Sequence, residues 1–229
     1  VVVVGGGPAG ISVISGLRQR SLGGELQITL LEPSDFHYYQ SAWLNSAFAF
    51  NKEIPSNRHI GKLFSPDDIN WVNEAAGEFS PENNYVLTET GLKVNYDYLV
   101  VACGLQTDWE KIKGLHGKLG REGITSVASF STLNWTRSLF SKPSGKVIFT
   151  EPSTLCNMHS AGKELIMRLQ AKLAVNIKEP NNEITYYSGS NALYPVDACQ
   201  NVLKDRFKKN SIDWKLSEEL VEVKPKAKI

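Results

Sequence analysis

Cysteine is scarce in this chain and never occurs in closely spaced pairs. The three cysteines, Cys103, Cys156 and Cys199, lie far apart, and no C-x-x-C motif is present. Such spacing matches neither a zinc site nor the framework of a disulfide-stabilised small domain. It also disfavours a disulfide reductase with two neighbouring redox cysteines on one helix. We interpret Cys103 and Cys199 as small buried packing residues.

The chain also lacks an excess of charge and a long apolar run. Its 25 basic and 24 acidic residues leave a net charge of +1, so no broad basic surface for nucleic acid is expected. No stretch approaches the roughly 20 apolar residues of a membrane-spanning helix. No targeting segment is visible and the chain starts inside a strand, so we expect a fragment of a longer protein. The 229 residues are typical of a globular protein with one large or two small domains.

What the chain does contain is a glycine-rich turn at its very start. An apolar strand, Val1–Val4, is followed by Gly5-Gly6-Gly7-Pro8-Ala9-Gly10, which has the spacing G-x-G-x-x-G. Gly5 permits a tight turn, Gly7 lets the backbone approach a pyrophosphate, and Gly10 lets the next helix pack on the strand. The N-terminus of that helix offers free N–H groups and the positive end of its dipole to phosphates. This pattern predicts a dinucleotide-binding turn.

The residues after the turn supply the context that this motif needs. An apolar helix face follows, and then a second strand over 27–31 that ends at Glu32. A carboxylate at this distance from the turn accepts a hydrogen bond from the adenosine ribose 2′-hydroxyl. The alternative is a glycine turn in some other α/β fold. Strand, turn, helix, strand and acid together favour the dinucleotide site.

An aromatic and polar stretch over 33–43 comes directly after the ribose acid. It includes Pro33, Tyr39, Gln40 and Trp43 and shows neither strand nor helix periodicity. Its aromatic rings suit covering an adenine or a flavin. They equally suit a loop whose rings are tucked beneath it. Composition alone does not decide between these two interpretations.

The rest of the first half predicts short strands separated by loops. Residues 51–66 are polar and predict a loop, 69–72 predict a strand, and 85–88 with 92–95 predict a hairpin. A buried strand ending at Val101 then leads into Ala102-Cys103-Gly104. Flavoproteins with two dinucleotide folds have such a strand returning to the cofactor, usually ending Ala-Thr-Gly. We therefore place Ala102, Cys103 and Gly104 at the cofactor, and the first domain at 1–108.

The second half, 109–229, predicts another α/β unit. Residues 109–145 look like a crossover, and strands are predicted at 146–150, 183–187, 212–215 and 220–223. Two amphipathic helices alternate with them, one with Leu165, Ile166, Leu169 and Leu173 on a face, the other with Val196, Cys199, Val202, Leu203 and Phe207. Strands alternating with helices imply a parallel sheet. The predicted fold class is thus α/β, with two successive Rossmann-like domains.

The second strand-to-helix turn lacks the glycine motif. Residues 150–162 contain no G-x-G-x-x-G, and Glu151 is expected to repel a phosphate. A nucleotide fold without a phosphate cradle binds NAD(P)H poorly. We therefore expect FAD in the first domain and no nicotinamide site in the second.

These residues resemble the sulfide:quinone oxidoreductase family, particularly its mitochondrial type, over most of the chain. The resemblance rests on the following stretches: 3–7, Glu32-Pro33-Ser34 with His37, Tyr39-Gln40 and Trp43, 96–99, 110–115 and, further on, 149–150, Pro152, 166–167 and Leu169. It implies two Rossmann-like domains, FAD on the first, and a C-terminal region that attaches peripherally to the mitochondrial inner membrane. It also implies that sulfide attacks a cysteine disulfide to form a persulfide, and that a thiolate passes electrons through the flavin to ubiquinone. A small thiol is a possible sulfur acceptor.

The redox position implied by this resemblance falls between Cys156 and His159. Aligning on Ile166-Met167 puts His159 at the family's cysteine, and Cys156 lies about three residues earlier. A helix N-terminus would stabilise a thiolate at Cys156, and His159 would assist it or relay a proton. Ser41 also replaces a proline that the family commonly has. Since the family's chain is longer, we expect this stretch alone not to turn over.

Two other functions stay open at this point. One is a type II NADH dehydrogenase-like enzyme of the same architecture, against which the missing second glycine motif argues. The other is a non-catalytic FAD-binding relative, which the displaced Cys156 favours. NADH-dependent reduction of the flavin would identify the first, and failure of sulfide to bleach the flavin would identify the second. No metal site is predicted.

Overall fold

The computed structural model describes residues 1–20, 26–49, 54–141, 145–154, 161–175 and 183–224. The chain forms two compact units, one of residues 1–42 and 55–106, the other of residues 43–54 and 107–229. The short segment 43–54 thus groups with the second unit. The predicted division at 108/109 stays a prediction for the whole protein.

The first unit is built on a parallel sheet with the glycine turn at its centre. Its strands are β1 (Val2–Val4), β2 (Thr29–Leu31), β5 (Asn70–Val72) and β9 (Leu99–Val101), in the order β5-β2-β1-β9. Every pairing is parallel, and Val2 lies opposite both Thr29 and Leu99. Helix α1 (Pro8–Arg20) follows β1 directly. The predicted strand, turn and helix at the start of the chain are confirmed.

The β1 strand is apolar because neighbouring strands and packed side chains cover it. Val2, Val3 and Val4 are all buried. Val3 packs in a cluster with Ile14 of α1 and Leu30 of β2, and Val2 and Val4 pack on the other face with Leu31. A strand buried on both faces shows no alternation in its sequence, which explains the continuous run of valines.

Two antiparallel sheets complete the first unit. One contains β6 (Ala76–Ser80), β7 (Tyr85–Thr88) and β8 (Lys93–Asn95) in sequence order, which confirms the predicted hairpin. The other pairs β3 (Phe36–Tyr38) with β4 (Asn57–His59). The loop predicted at 51–66 was therefore wrong at 57–59, and the stretch 33–43, for which no strand periodicity was found, contains the strand β3. Strands of three residues are too short to show a period of two, which is why the sequence concealed them.

The second unit is another parallel α/β arrangement, with a three-stranded sheet. It contains α2 (Trp43–Ala47), α3 (Leu133–Ser141), β10 (Lys146–Glu151), α4 (Ala161–Val175), β11 (Glu183–Ser188), α5 (Asp197–Lys209) and β12 (Ile212–Leu216). The sheet order is β10-β11-β12, with both pairings parallel. Its core includes Phe149, Ile166, Leu169, Tyr186 and Phe207. The predicted strands at 146, 183 and 212 and the helix face of α4 are confirmed.

The stretch predicted as a crossover, 109–145, contains the helix α3, which the sequence analysis did not predict. Two predictions for the second half were wrong. Of the face predicted for α5, Phe207 is buried and Leu203 packs partly, whereas Cys199 and Val202 are exposed. The packed stripe of α5 is narrow and runs through Leu203 and Phe207. Cys199 lies outside this stripe and is therefore not a packing residue. The strand predicted at 220–223 is reduced to one bridge between Glu222 and Lys113.

None of the helices in the described ranges is both long and apolar enough to cross a membrane.

Candidate cofactor site

The glycine turn is shaped by contacts within the protein at two of its positions. Gly5 has φ = +106°, a conformation that L side chains rarely adopt, and a Cβ there would collide with the carbonyl oxygen of Ala102. A Cβ at Gly10 would collide with the carbonyl oxygen of Gly5. Glycine is therefore required at both positions by the fold itself. These contacts hold the start of α1 tightly against the end of β1.

Gly7 differs, because nothing in the protein requires it to be glycine. A Cβ built on Gly7 would have no other described atom within 4 Å, its chain neighbours aside. The Gly7 carbonyl accepts from the Ile11 N–H at 3.0 Å, so Gly7 is the N-cap residue that precedes α1. Pro8 and Ala9 beside it are exposed. The space over Gly7 is open, as expected where a ligand approaches the backbone.

Glu32 lies at the end of β2 with its carboxylate against the glycine turn. Its Oε2 accepts from the Gly6 N–H at 2.6 Å and its Oε1 from the Ser34 N–H at 2.7 Å. The Glu32 backbone is also held, since its N–H donates to the Val72 carbonyl and its carbonyl accepts from Trp71 Nε1. Each carboxylate oxygen can accept a further hydrogen bond, so a ribose hydroxyl remains acceptable to this fixed acid.

The end of β9 lies beside the same turn. The Ala102 N–H donates to the Val4 carbonyl at 2.7 Å, and Gly104 has φ = +68°. Cys103 is exposed, with Sγ 4.0 Å from the Val4 carbonyl oxygen, so the interpretation of Cys103 as a buried packing residue was wrong. It was wrong because Cys103 lies just past the last paired residue of the strand, at the open edge of the sheet.

The structure therefore brings three of the predicted segments to one edge of the first sheet. The glycine turn, Glu32 and Ala102–Gly104 follow β1, β2 and β9, which are adjacent parallel strands. Ligands bind at this carboxyl edge in open α/β sheets. Pro33 and Tyr39 are exposed and Gln40 is half-buried, but no contact joins them to the turn, so their role stays a prediction.

His37 is a site residue that the sequence analysis did not assign to the cofactor. It lies in β3, and its Nδ1 is 2.9 Å from the Gly6 carbonyl oxygen. Its presence in the stretch that carries the resemblance was the only signal. The three-residue strand that points it back at the turn left no pattern in the sequence.

The second strand-to-helix turn is occupied by charged side chains. Lys163 Nζ, on α4, lies 2.7 Å from Glu151 Oε1 at the end of β10. The two side chains are 9% and 7% exposed, respectively. A Cβ at Gly162 would lie 3.3 Å from Glu151 Oε2. Glu151 was expected to repel a phosphate by its negative charge. This expectation was wrong, because the Lys163 ammonium compensates that charge. The pair instead fills the space between β10 and α4.

A second acid lies at the same edge of this sheet. Glu219 Oε1 accepts from the Ser153 N–H at 2.8 Å, just past β10. Hydrogen bonds from the side chain and then the backbone of Ser153 lower the pKa of Glu219. A Cβ at Gly189, just past β11, would collide with this carboxylate. Among the described residues of this turn, the Ser153 N–H is thus already bonded to an anion of the chain.

Cys156 and His159 lie outside the described residues, so their predicted role stays a prediction. Within the described part of the chain, no group of three or more His, Cys, Asp or Glu side chains is arranged to hold a metal ion.

The parallel sheet, the glycine turn that opens α1 and the fixed acid after β2 define the class of protein: a dinucleotide-binding α/β protein. Residues 1–139 match the pyridine nucleotide-disulphide oxidoreductase family, and the chain belongs to it. The predicted α/β fold class is confirmed.

Among curated relatives, the chain is similar to mitochondrial sulfide:quinone oxidoreductases. It is 32% identical to that of Dictyostelium discoideum over 233 residues and 27% identical to that of Mus musculus over 226, matching 100% and 98% of this chain. The chain spans about half the length of each of these relatives. A type II NADH:quinone oxidoreductase of Staphylococcus saprophyticus is 28% identical, over 50% of the chain.

A solved structure supports the fold. The sulfide:quinone oxidoreductase of Aquifex aeolicus aligns with a TM-score of 0.79 at 24% identity, covering 98% of this chain and 52% of that one. The predicted resemblance to this group of proteins is confirmed.

FAD is the cofactor of this family and of these relatives, which agrees with the predicted cofactor. The residues of the first turn fit it. The turn is held by the protein, leaves open space over Gly7 and carries a fixed acid beside it. The second turn fits a dinucleotide poorly, because side chains fill it.

Proposed function

We propose that the first unit binds FAD, with the pyrophosphate on the turn from Gly5 to Gly10 and the adenosine ribose on Glu32. The observation that carries this assignment is the open space over Gly7 in a turn that is otherwise closely packed. Free N–H groups at the start of α1 would receive the phosphate oxygens, and the helix dipole would favour their charge. Pro33, Tyr39, Gln40, Ala102, Cys103 and Gly104 would lie along the rest of the cofactor.

We further propose that the whole protein oxidises sulfide to sulfane sulfur and passes the two electrons to ubiquinone. The named activity of its relatives supports this proposal. Bound FAD would supply the two-electron carrier. The chain's part is to hold the pyrophosphate and ribose so that the flavin faces the redox cysteine. Cys156 is our candidate for that cysteine, with His159 as its proton relay.

The resemblance also supports proposals about partners and location. Sulfide and a quinone would be the substrates, with a small thiol as a possible sulfur acceptor and no nucleic acid. The mitochondrial relatives support a mitochondrial location. Peripheral attachment to the inner membrane would come from a C-terminal region like that of the longer relatives.

The direct test is the variant Cys156→Ser in the full-length protein. Loss of the thiolate should abolish bleaching of the flavin by sulfide while leaving the FAD content unchanged, because the cysteine is not part of the FAD site. Cys199→Ser is the matched control, since Cys199 is an exposed cysteine on α5 to which the proposal gives no role. Near-normal sulfide oxidation by Cys156→Ser would show that Cys156 is not the redox cysteine. The non-catalytic or differently connected alternative would then replace this one.

A type II NADH dehydrogenase-like enzyme is the second candidate, favoured by the relatives of that kind over half of the chain. The filled second turn argues against it. Stopped-flow mixing of oxidised protein with NADH should show no bleaching on a catalytic timescale. Fast bleaching would favour the dehydrogenase.

A further inference from the structure

Gly6 is held from both sides by side chains from other strands. Its N–H donates to Glu32 Oε2 at 2.6 Å, and its carbonyl oxygen lies 2.9 Å from His37 Nδ1. A carbonyl oxygen can only accept a hydrogen bond, so Nδ1 of His37 carries the proton. The two bonds fix the peptide groups on both sides of Gly6.

The peptide between Gly6 and Gly7 carries the N–H of Gly7, the residue whose Cβ position is open. A peptide group is planar, with its C=O and N–H pointing in opposite directions. Holding the Gly6 oxygen therefore sets the direction of the Gly7 N–H. That N–H makes no hydrogen bond with any of the described residues. The next residue, Pro8, has no N–H, so the donors at this end of α1 are the N–H groups of Gly7, Ala9 and Gly10.

We propose that His37 is a positioning residue for FAD: by donating to the Gly6 carbonyl, it directs the Gly7 N–H at the pyrophosphate. This inference rests on the proposed FAD site. A hydrogen bond accepted by a peptide carbonyl also polarises the N–H of the same peptide, which strengthens it as a donor. His37 thus acts through Gly6 and need not touch the cofactor.

The test measures the dissociation constant of FAD from the ligand-free full-length protein. His37→Leu and His37→Phe remove the donor, and both should weaken FAD binding about tenfold, the usual effect of losing one hydrogen bond of this kind. His37→Asn places an amide N–H near the position of Nδ1. It should restore the affinity to within about threefold of that of the unaltered protein. Phe keeps an aromatic ring, so it serves if Leu fails to fold.

His59→Leu is the matched control, because His59 lies on the strand paired with His37's own. Its Nδ1 accepts from the Gly61 N–H and its ring contacts Phe36 and Trp71 rather than the glycine turn. We expect its FAD affinity to stay within about threefold of that of the unaltered protein, since no donor to Gly6 is lost. Equal losses in the His59 and His37 variants would show a general disturbance of this sheet and overturn the proposal. So would unchanged affinity in His37→Leu and His37→Phe, or an Asn variant as weak as the Leu variant.

ADP distinguishes failure of this inference from failure of the proposed function. ADP carries the pyrophosphate and the ribose but no flavin. If the unaltered protein binds ADP but not FAD, the FAD proposal fails and the His37 series is judged on ADP affinity instead. If it binds neither, both proposals are overturned.

Discussion

The two strand-turn-helix segments of this chain have the same topology, but different groups occupy their turns. After β1, the turn is bare backbone, and the space over Gly7 is empty of protein. After β10, the turn is filled by the Glu151–Lys163 pair, and the Ser153 N–H is bonded to Glu219. The topology of both segments is parallel α/β. The difference indicates that a turn of this fold binds a nucleotide only where its backbone N–H groups can still donate to the phosphates.

The carboxylates therefore have different roles in the two turns. Glu32 accepts from the first turn at Gly6, a position that leaves Gly7 unobstructed. Glu219 accepts from the second turn itself, in the role that a phosphate would have. An acid beside a cradle favours binding of a ribose, whereas an acid inside it competes with the phosphate.

The largest expected effect is that of Gly7→Val on the first turn. A Cβ at Gly7 would have no described atom within 4 Å, its chain neighbours aside, so the apoprotein should fold, but valine would occupy the space for the pyrophosphate. We expect the flavin content of the purified protein, read from its absorbance, to fall by about tenfold or more, as for loss of at least one charge-assisted hydrogen bond.

Gly16→Val is the control for this experiment. Gly16 also has open space around its Cβ position, but it lies in the interior of α1, away from the turn. Valine there should leave the flavin content intact. Full flavin occupancy in Gly7→Val would show that the pyrophosphate does not bind at this turn. It would also contradict the contrast between the two segments.

The second effect concerns the ion pair that fills the other turn. Lys163→Met leaves the buried Glu151 carboxylate without its cation, which should lower the free energy of unfolding by about 3–5 kcal/mol. Arg168→Met breaks an exposed pair with Glu164 on the same helix and should cost only about 0.5 kcal/mol. Denaturant unfolding measures both.

A double variant sharpens this prediction. Glu151→Gln together with Lys163→Met removes both charges, so it should be more stable than Lys163→Met alone. If Lys163→Met unfolds no more easily than Arg168→Met, the pair does not hold the second turn together.

The smallest effect is expected for Glu219→Gln. Hydrogen bonds from Ser153 lower the pKa of Glu219 below its ordinary value of 4.5. The carboxylate therefore contributes stability above pH 4.5, and this contribution is lost as the pH falls through the lowered pKa. Because the group is largely exposed, we expect Tm at pH 7 to drop by only about 2 °C.

A pH series checks the cause of that shift. The difference in Tm between Glu219→Gln and the unaltered protein should diminish as the pH falls below 4.5, because the native carboxylate becomes protonated as the pH passes through its lowered pKa. A difference that keeps the same size throughout the acid range would mean that charge at Glu219 has no part in it.

The first turn could be predicted from the sequence because each structural requirement of the turn is visible in the type of a particular residue. Close contacts require glycine at Gly5 and Gly10, and Glu32 was predicted from its place after β2. Our proposal attributes Gly7 to the space for the ligand. The parallel strands were visible for the same reason, as short apolar runs such as Val2–Val4. The family resemblance then supplied the cofactor.

What the sequence concealed depends on contacts between residues far apart in the chain. Lys163 compensates Glu151, and Glu219 reaches Ser153 across 66 positions, neither of which a local pattern shows. His37 reaches Gly6 from a strand of three residues, too short to be predicted. The exposure of Cys103 and Cys199 depends on where a strand and a helix stop packing, which composition does not encode.

The most direct test of the contrast is a calorimetric titration of the flavin-free full-length protein, first with FAD and then with NADH. The account predicts saturable binding of one FAD per chain and no saturable binding of NADH, because the Gly7 N–H of the first turn bonds none of the described residues, whereas the Ser153 N–H of the second turn is bonded to Glu219. Stoichiometric binding of NADH, or binding of FAD that survives in Gly7→Val, would contradict it.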